Sequence, residues 1–365
     1  MKIVPNRLDR GFFRYQQEFE EKALEVLRSG WYILGKEVEQ FEKEFAEYTG
    51  SAYCVGLASG LDALWLAFKV LGIGEGDEVI VPANTYIASV MGITINGATP
   101  VFVEPDAFYN MDTNALEDCL TERTKAVLVV HLYGQASKMD DIVAFCKKYD
   151  LRLVEDCAQS HGACYDGKMT GTFGDIGCFS FYPSKNLGGF GDGGAIVTED
   201  EKIAADMKMY RNYGSRKRYY NEVVGANSRL DELQAGLLRV KVKHMPELLA
   251  NRDKIAQSYL KGIHNDLIKL PEICEHCKHT WYQFVVQVDD QEKFREFLKE
   301  RGVATDIAWQ TPPYLQPALA RLGYKKGDFP ITEKLCSSIV SLPMMDYMPE
   351  EEIEKVIAEV NAYEG

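Results

Sequence analysis

The run VEDCAQSHGACYDGKMTGTFGDIGCFSFYPSKNLGGFGDGGAIVT occupies residues 154–198. It starts inside an apolar segment, LRLVEDCA, with the composition of a strand buried on both faces of a parallel sheet. Asp156 stands at the end of that strand. A second apolar run, ending FSFYPSKNLGG, places Lys185 in a loop of small residues. An amine that can form a Schiff base and a carboxylate that can keep a ring nitrogen protonated are the two groups a pyridoxal phosphate enzyme must supply. On spacing alone a second reading stays open. An Asp at a strand end also serves as a cap, and a lone Lys is commonly a solvated head group.

Outward from this run the chain alternates strands and helices. Residues 13–29 have helical periodicity, closed by Ser29-Gly30, and an aromatic loop with Trp31 and Tyr32 precedes another amphipathic helix. AYCVGLASGLDALWLAFKVLG reads as a strand, then Ala58-Ser59-Gly60, then a helix. Backbone N–H groups at a helix start bind phosphate, although Ser59 could equally be a plain N-cap. GEGDEVIVPANTYIASVMGITINGATPVFVEPD follows in βαβ order, with Tyr86 after Pro82-Ala83-Asn84-Thr85. AVLVVHLYGQA (126–136) is another buried strand, and His131 at its end reads as structural. GGFGDGG (188–194) lacks the G-K-[ST] ending of a P-loop, which removes an ATPase reading. Beyond about residue 246 the pattern becomes helix, strand (TWYQFVVQV), helix, strand and final helix. That predicts a large domain over 1–245 and a small C-terminal domain over 246–365, with the first 12 residues packing on the small one. Cys274, His276, Cys277 and His279 crowd one segment, which suits a tetrahedral metal poorly, so no metal is expected.

The 365 residues are 46% hydrophobic, enough for one large α/β core and a smaller unit. A net charge of −14 without a Lys/Arg block argues against nucleic acid and anionic membrane as partners. Nine scattered cysteines, an odd number, suit reduced thiols and a cytoplasmic location. The N-terminus MKIVPNRLDRGFF lacks a signal-peptide apolar region, and no run approaches the ~20 apolar residues of a membrane span.

V-E-D-C-A-Q-S-H-G-A, then G-D-I-G-C-F-S-F-Y-P-S-K-N-L, then G-D-G-G-A-I-V-T closely resembles the DegT/DnrJ/EryC1/StrS family of nucleotide-sugar aminotransferases, from about residue 8 to the C-terminus. The resemblance implies an α/β protein of pyridoxal-phosphate fold type I, aspartate aminotransferase-like, with a large mostly parallel sheet and a small C-terminal α/β domain. It implies pyridoxal 5'-phosphate as cofactor, with pyridoxamine phosphate between two half-reactions. Lys185 and Asp156 then become the catalytic pair. Ser59, Gly60 and Ser180 hold the cofactor phosphate, Tyr86 stacks on its ring, and Gln159 lies near its ring hydroxyl. His161 falls beside the Schiff base or behind it. The G-x-N-x-R-L-D-E-L-Q-A pattern resembles a segment that crosses a homodimer interface, so Asn227 would reach the partner's cofactor phosphate and Arg229 would sit near the substrate.

The same resemblance implies L-glutamate as amino donor, 2-oxoglutarate as its product, and a nucleotide-linked keto sugar as acceptor. Tyr32 lies in a loop near the expected entrance. Arg211, Arg216 and Arg218 are candidates for the sugar-nucleotide diphosphate. DIAWQTPPYLQ (306–316) departs from the family form I-H-Y-P-x-P-x-H-L-Q: Ala308 and Tyr314 stand where histidines are usual, and Trp309 and Gln310 replace Tyr and Pro. Trp309 and Tyr314 are therefore read as contacts to a base or sugar, or as packing. SGWYILGKEVEQFE, ASGLDAL and TPPYLQ look most like the branch aminating C-3 of dTDP-3-keto-6-deoxyhexoses, with a C-4 aminotransferase on a dTDP- or UDP-sugar as the alternative. Such deoxyamino sugars serve lipopolysaccharide O-antigen, S-layer glycans and antibiotics. Family dehydratases carry histidine in place of the lysine, and non-catalytic regulatory relatives would lose Asp156 or Lys185; both residues are present.

Overall fold

The computed structural model describes residues 2–365. Seven strands form the central sheet: β1 (Tyr53–Leu57), β2 (Glu78–Pro82), β3 (Thr99–Val103), β4 (Thr124–Val130), β5 (Arg152–Asp156), β6 (Ile176–Ser180) and β7 (Gly194–Thr198). Their spatial order is β1-β7-β6-β5-β4-β2-β3. The β3, β2, β4, β5 and β6 neighbours pair in parallel, and β7 alone runs antiparallel, to both β6 and β1. This is the mostly parallel sheet of fold type I expected from the sequence.

The apolar runs explain the burial. In β4, Ala126 and Leu128 face one hydrophobic cluster, and Val127 and Val129 face another on the opposite side. A strand covered on both faces must be apolar at successive positions rather than at alternate ones. Helices Gly60–Val70 and Ile87–Thr94 bring Leu66, Phe68 and Val90 to the first face. Helices Lys36–Thr49 and Glu232–Gly262 bring Phe41, Phe45 and Leu238 to the second face over β1, β6 and β7.

The last of these helices has 31 residues and carries Pro246 inside it. The division expected at 245/246 thus falls within one continuous helix, because the apolar pattern persists through the proline at Leu248, Ile255 and Ala256. Its C-terminal half joins a separate cluster built on a two-stranded antiparallel sheet, β8 (Phe284–Gln287) with β9 (Ile339–Leu342). Ile3 lies in that cluster, and its N–H donates to the Gly302 carbonyl at 2.7 Å.

The expected strand 280–288 is shorter than its composition suggests. It begins at Phe284, because Trp281 adopts φ of +51° and turns the chain. A bulky residue there is uncommon, and its neighbours hold it. No helix of the described residues is long and apolar enough to cross a membrane.

Candidate active site

Parallel strands deliver their C-terminal ends to one edge of the sheet, where open α/β folds bind ligands. A cavity of about 560 Å³ lies at that edge. The ends of β4, β5 and β6 supply Val130, Asp156 and Ser180, and the loops beyond supply Ser59, Thr85 and Lys185. Register places Asp156 beside Val130 on one side and Cys178 on the other.

Asp156 is buried at the cavity floor. Ser89 Oγ donates to its Oδ2 at 2.8 Å and the Ala158 N–H donates to its Oδ1 at 3.1 Å. Burial raises the carboxyl above its ordinary pKa, opposed by these two hydrogen bonds and the charge of Lys185. A ring nitrogen carrying a proton would answer that desolvation. Lys185 Nζ donates to Tyr282 Oη at 3.2 Å and stands 4.4 Å from the Tyr282 ring centroid.

At the other end of the cavity, helix Gly60–Val70 opens with Ser59 as N-cap, its Oγ accepting from the Asp62 N–H at 3.1 Å. Contacts here allow only small residues. A Cβ on Gly60 would come within 2.6 Å of Ser180 Cβ, and one on Gly194 within 2.3 Å of the Ser59 carbonyl oxygen. The free N–H groups of the first helical turn and the Ser180 hydroxyl form a cradle for an anion. Tyr86, 58% exposed, lines the cavity from the start of helix Ile87–Thr94. Gln159 also lines it, with Oε1 fixed by the Tyr133 N–H at 2.8 Å. An acid at one end, an anion cradle at the other, an amine between them and an aromatic ring at the wall fit pyridoxal phosphate.

Beneath the floor lies a fully buried brace. Glu155 accepts from the N–H groups of Gly171, Phe173 and Gly174 at 2.7–2.8 Å. It also lies 3.0 Å from His131 Nε2. His131 Nδ1 accepts from the Ser137 N–H at 3.1 Å, so the ring proton sits on Nε2 and points at Glu155. The His131 N–H donates to the Asp156 carbonyl at 3.1 Å. His131 is structural, as its place at a strand end suggests. With Cys157 these two groups lie close enough to hold a cation, but the backbone donors already satisfy the carboxylate. His161 is buried against Phe179 and Phe181, with neither ring nitrogen partnered. Burial lowers its pKa to about 3 and keeps it neutral.

Other expected residues fall elsewhere. Trp309 lines the cavity, with Nε1 donating to Asn84 Oδ1 at 3.1 Å. Tyr314 does not: its ring is buried among Phe102, Tyr324 and Phe329, and its hydroxyl donates to Glu333 at 3.1 Å. Its apolar body is worth more in that core than against a polar ligand. Tyr32 lies outside the cavity and donates to the Leu27 carbonyl at 3.1 Å. Arg211 is buried in an ion pair with Glu42 and donates to the Gly56 carbonyl at 2.7 Å, so it braces β1 and is unavailable to a diphosphate. Arg216 is paired with Asp206 and Glu222. Arg218 lies over Tyr219. Arg229 contacts Asn212 and the Tyr213 ring, and the exposed Asn227 bridges the Asn212 backbone. None of these five lines the cavity of a single protomer. His276 pairs with Asp166, and His279 stacks on Trp281 and accepts its N–H.

Two residues at the chemistry escaped the sequence reading. Ser89 was legible in principle, three positions after Tyr86 on the first turn of its helix. Tyr282 was hidden inside an apparent strand.

A family model describing the DegT/DnrJ/EryC1/StrS aminotransferases matches residues 14–361. The chain belongs to that family. It is 50% identical over 351 residues to the dTDP-3-amino-3,6-dideoxy-alpha-D-galactopyranose transaminase of Aneurinibacillus thermoaerophilus, covering 96% of each protein. Among solved structures, S. venezuelae DesV in complex with a ketimine intermediate superposes with a TM-score of 0.96 at 41% identity, covering 99% of this chain and 98% of that one. Ntda from Bacillus subtilis, with bound cofactor PMP, gives 0.88 at 29% identity, covering 95% and 81%. The aminotransferase is a pyridoxal phosphate enzyme acting on sugars, as the sequence implied.

Proposed function

We propose that the enzyme moves an amino group from L-glutamate to C-3 of a dTDP-linked 3-keto-6-deoxyhexose. The observation that carries this reading is the convergence of Asp156, Lys185 and the anion cradle on one cavity, in a chain half identical to a dTDP-3-amino-sugar transaminase. Bound pyridoxal phosphate supplies an electron sink for the carbon that loses its proton. Ser59, Gly60 and Ser180 bind the phosphate. Asp156 holds the proton on the ring nitrogen. Lys185 would hold the cofactor covalently, and its amine, when free, would take up and return the proton at the substrate carbon. Tyr86 and Trp309 wall the cavity against water.

A homodimer with shared sites completes this reading. Tyr219 and Val224 are 88% and 94% exposed beside Asn227 and Arg229, an apolar and polar surface suited to a second copy. Nine free cysteines support a cytoplasmic setting.

The test is the absorbance of cofactor-loaded protein before and after glutamate, then with dTDP-3-keto and dTDP-4-keto sugars. The reading expects glutamate to bleach the yellow form and the 3-keto sugar to restore it. Restoration by the 4-keto sugar alone would overturn the C-3 assignment.

A further inference from the structure

Tyr282 touches the reacting amine, and its place is set with unusual care. Lys185 Nζ donates to the phenol oxygen at 3.2 Å. The residue before it, Trp281, is fully buried with φ of +51°, a conformation that is costly for a bulky side chain. Had the chain continued as an extended strand, alternation would fix the side of Tyr282 by the pleat. Instead the turn sends its ring into the cavity.

Four contacts hold that turn. The Thr280 N–H donates to the Gly134 carbonyl at 2.8 Å and the Gln283 N–H to the Tyr133 carbonyl at 3.2 Å. Arg252, buried and paired with Asp346 at 2.7 Å, donates to the Trp281 carbonyl at 3.0 Å. Trp281 Nε1 donates to Asp253 at 3.1 Å. Gly134 is required by the approach: a Cβ there would lie 2.7 Å from the Trp281 nitrogen and 2.8 Å from the Tyr282 nitrogen. Strain held by surrounding packing next to a reactive group points to function rather than to folding.

Resting on the transaminase reading above, we infer that Tyr282 is a positioning residue for Lys185: it docks the lysine's free ammonium at the cavity wall while the amine is not bonded to the cofactor. An amine on a four-carbon stem has many rotamers, and a hydrogen-bond acceptor combined with an aromatic face restricts them. Proton transfer by Lys185 depends on that restriction, because the base must return to the same carbon in each half-reaction. The acidity of Tyr282 agrees with the contact. Burial raises the phenol, yet the charge of Lys185, then Ser184 and Arg252, draws it below its ordinary value. Asp156 and His161 also feel the Lys185 charge.

Tyr282→Phe keeps the ring and removes the acceptor, and two readouts follow. First, cofactor-free protein is mixed with pyridoxal phosphate over a range of pH, and the rate of adduct formation is followed by absorbance. Adduct formation needs the neutral amine, and an acceptor stabilises the charged one. The midpoint of the profile should therefore lie at lower pH in the variant than in wild type. Second, the single-turnover glutamate half-reaction should slow about 10- to 100-fold at saturation, with half-saturating glutamate changed less than about twofold. A merely structural role would not move the midpoint.

Unchanged midpoint and unchanged rate would overturn the inference. So would a rise in half-saturating glutamate at unchanged rate, which makes Tyr282 a substrate contact. Tyr282→Leu, which also lacks an acceptor, carries the same two expectations should the phenylalanine variant not fold. Wild-type protein that loads the cofactor but ignores glutamate would sink the donor assignment. The midpoint comparison would then still decide the role of Tyr282.

Discussion

The floor of the cavity and its rim are built on opposite principles. At the floor, a strand end fixes Asp156 and the loop after the next strand carries Lys185. Asp156 is pinned by Ser89 and Ala158, and the strand beneath it by the His131–Glu155 brace. At the rim, two of the three arginines expected to grip a diphosphate are exposed: Arg216 is paired with Asp206 and Glu222, and Arg218 lies over Tyr219. The floor is complete within one chain, whereas the rim faces outward with its aromatic side chains uncovered. The floor is thus ordered by the fold of the protomer, whereas that fold does not bring the rim arginines to the cavity.

The comparison breaks most sharply at the floor. Lys185→Ala should lower steady-state transamination by at least about 10⁴-fold while still binding cofactor non-covalently, read by turnover and by equilibrium dialysis. Retained turnover would move the chemistry elsewhere. Asp156→Asn should cost about 10³-fold in the glutamate half-reaction, because an amide cannot hold the ring nitrogen protonated. The same variant has a stability signature. Burial raises the Asp156 pKa, so its contribution to folding is present below the unfolded carboxyl value and lost as pH rises through the raised one. At neutral pH the cofactor-free Asp156→Asn protein should therefore melt above wild type, and a lower melting point would contradict the burial account.

Smaller effects sharpen the contrast. Glu155→Ala leaves three backbone donors and His131 without their acceptor, and should destabilise by about 3 kcal/mol in urea unfolding. His161, ordinarily near 6.5, is held at about 3 by burial. The unfolded chain takes up that proton first, so stability falls as pH drops from 6.5 toward 3, with a slope of about 1.4 kcal/mol per pH unit for one group. His161→Phe should remove that much of the slope in denaturant unfolding followed across pH. Smallest of all, Arg216→Ala at the exposed rim should change stability by no more than about 0.5 kcal/mol.

The floor was legible in the sequence because its parts are local. A strand ending in Asp156, a Ser59-Gly60 turn before a helix and a lysine in a small-residue loop each announce themselves within a few residues. The sheet was legible for the same reason, since strands such as β4 are apolar at successive positions. Tyr282 was not legible. Its neighbours alternate like a strand, and the groups that hold the Trp281 turn, Gly134 about 150 positions away in sequence and Arg252 on the long helix, meet it only in the fold. Tyr314 misled for the converse reason: it lies in a segment resembling a substrate contact, yet three aromatic rings, Phe102, Tyr324 and Phe329, draw it inward. The 245/246 division falls inside one helix because the apolar stripe of that helix runs past its proline.

The most direct measurement on the central pair is borohydride reduction of the protein loaded with pyridoxal phosphate, followed by peptide mass mapping. The label should lie on the peptide containing Lys185, and Asp156→Asn should lose catalysis while still labelling there. A label on another lysine, or none, would contradict the assignment of this cavity as the catalytic site.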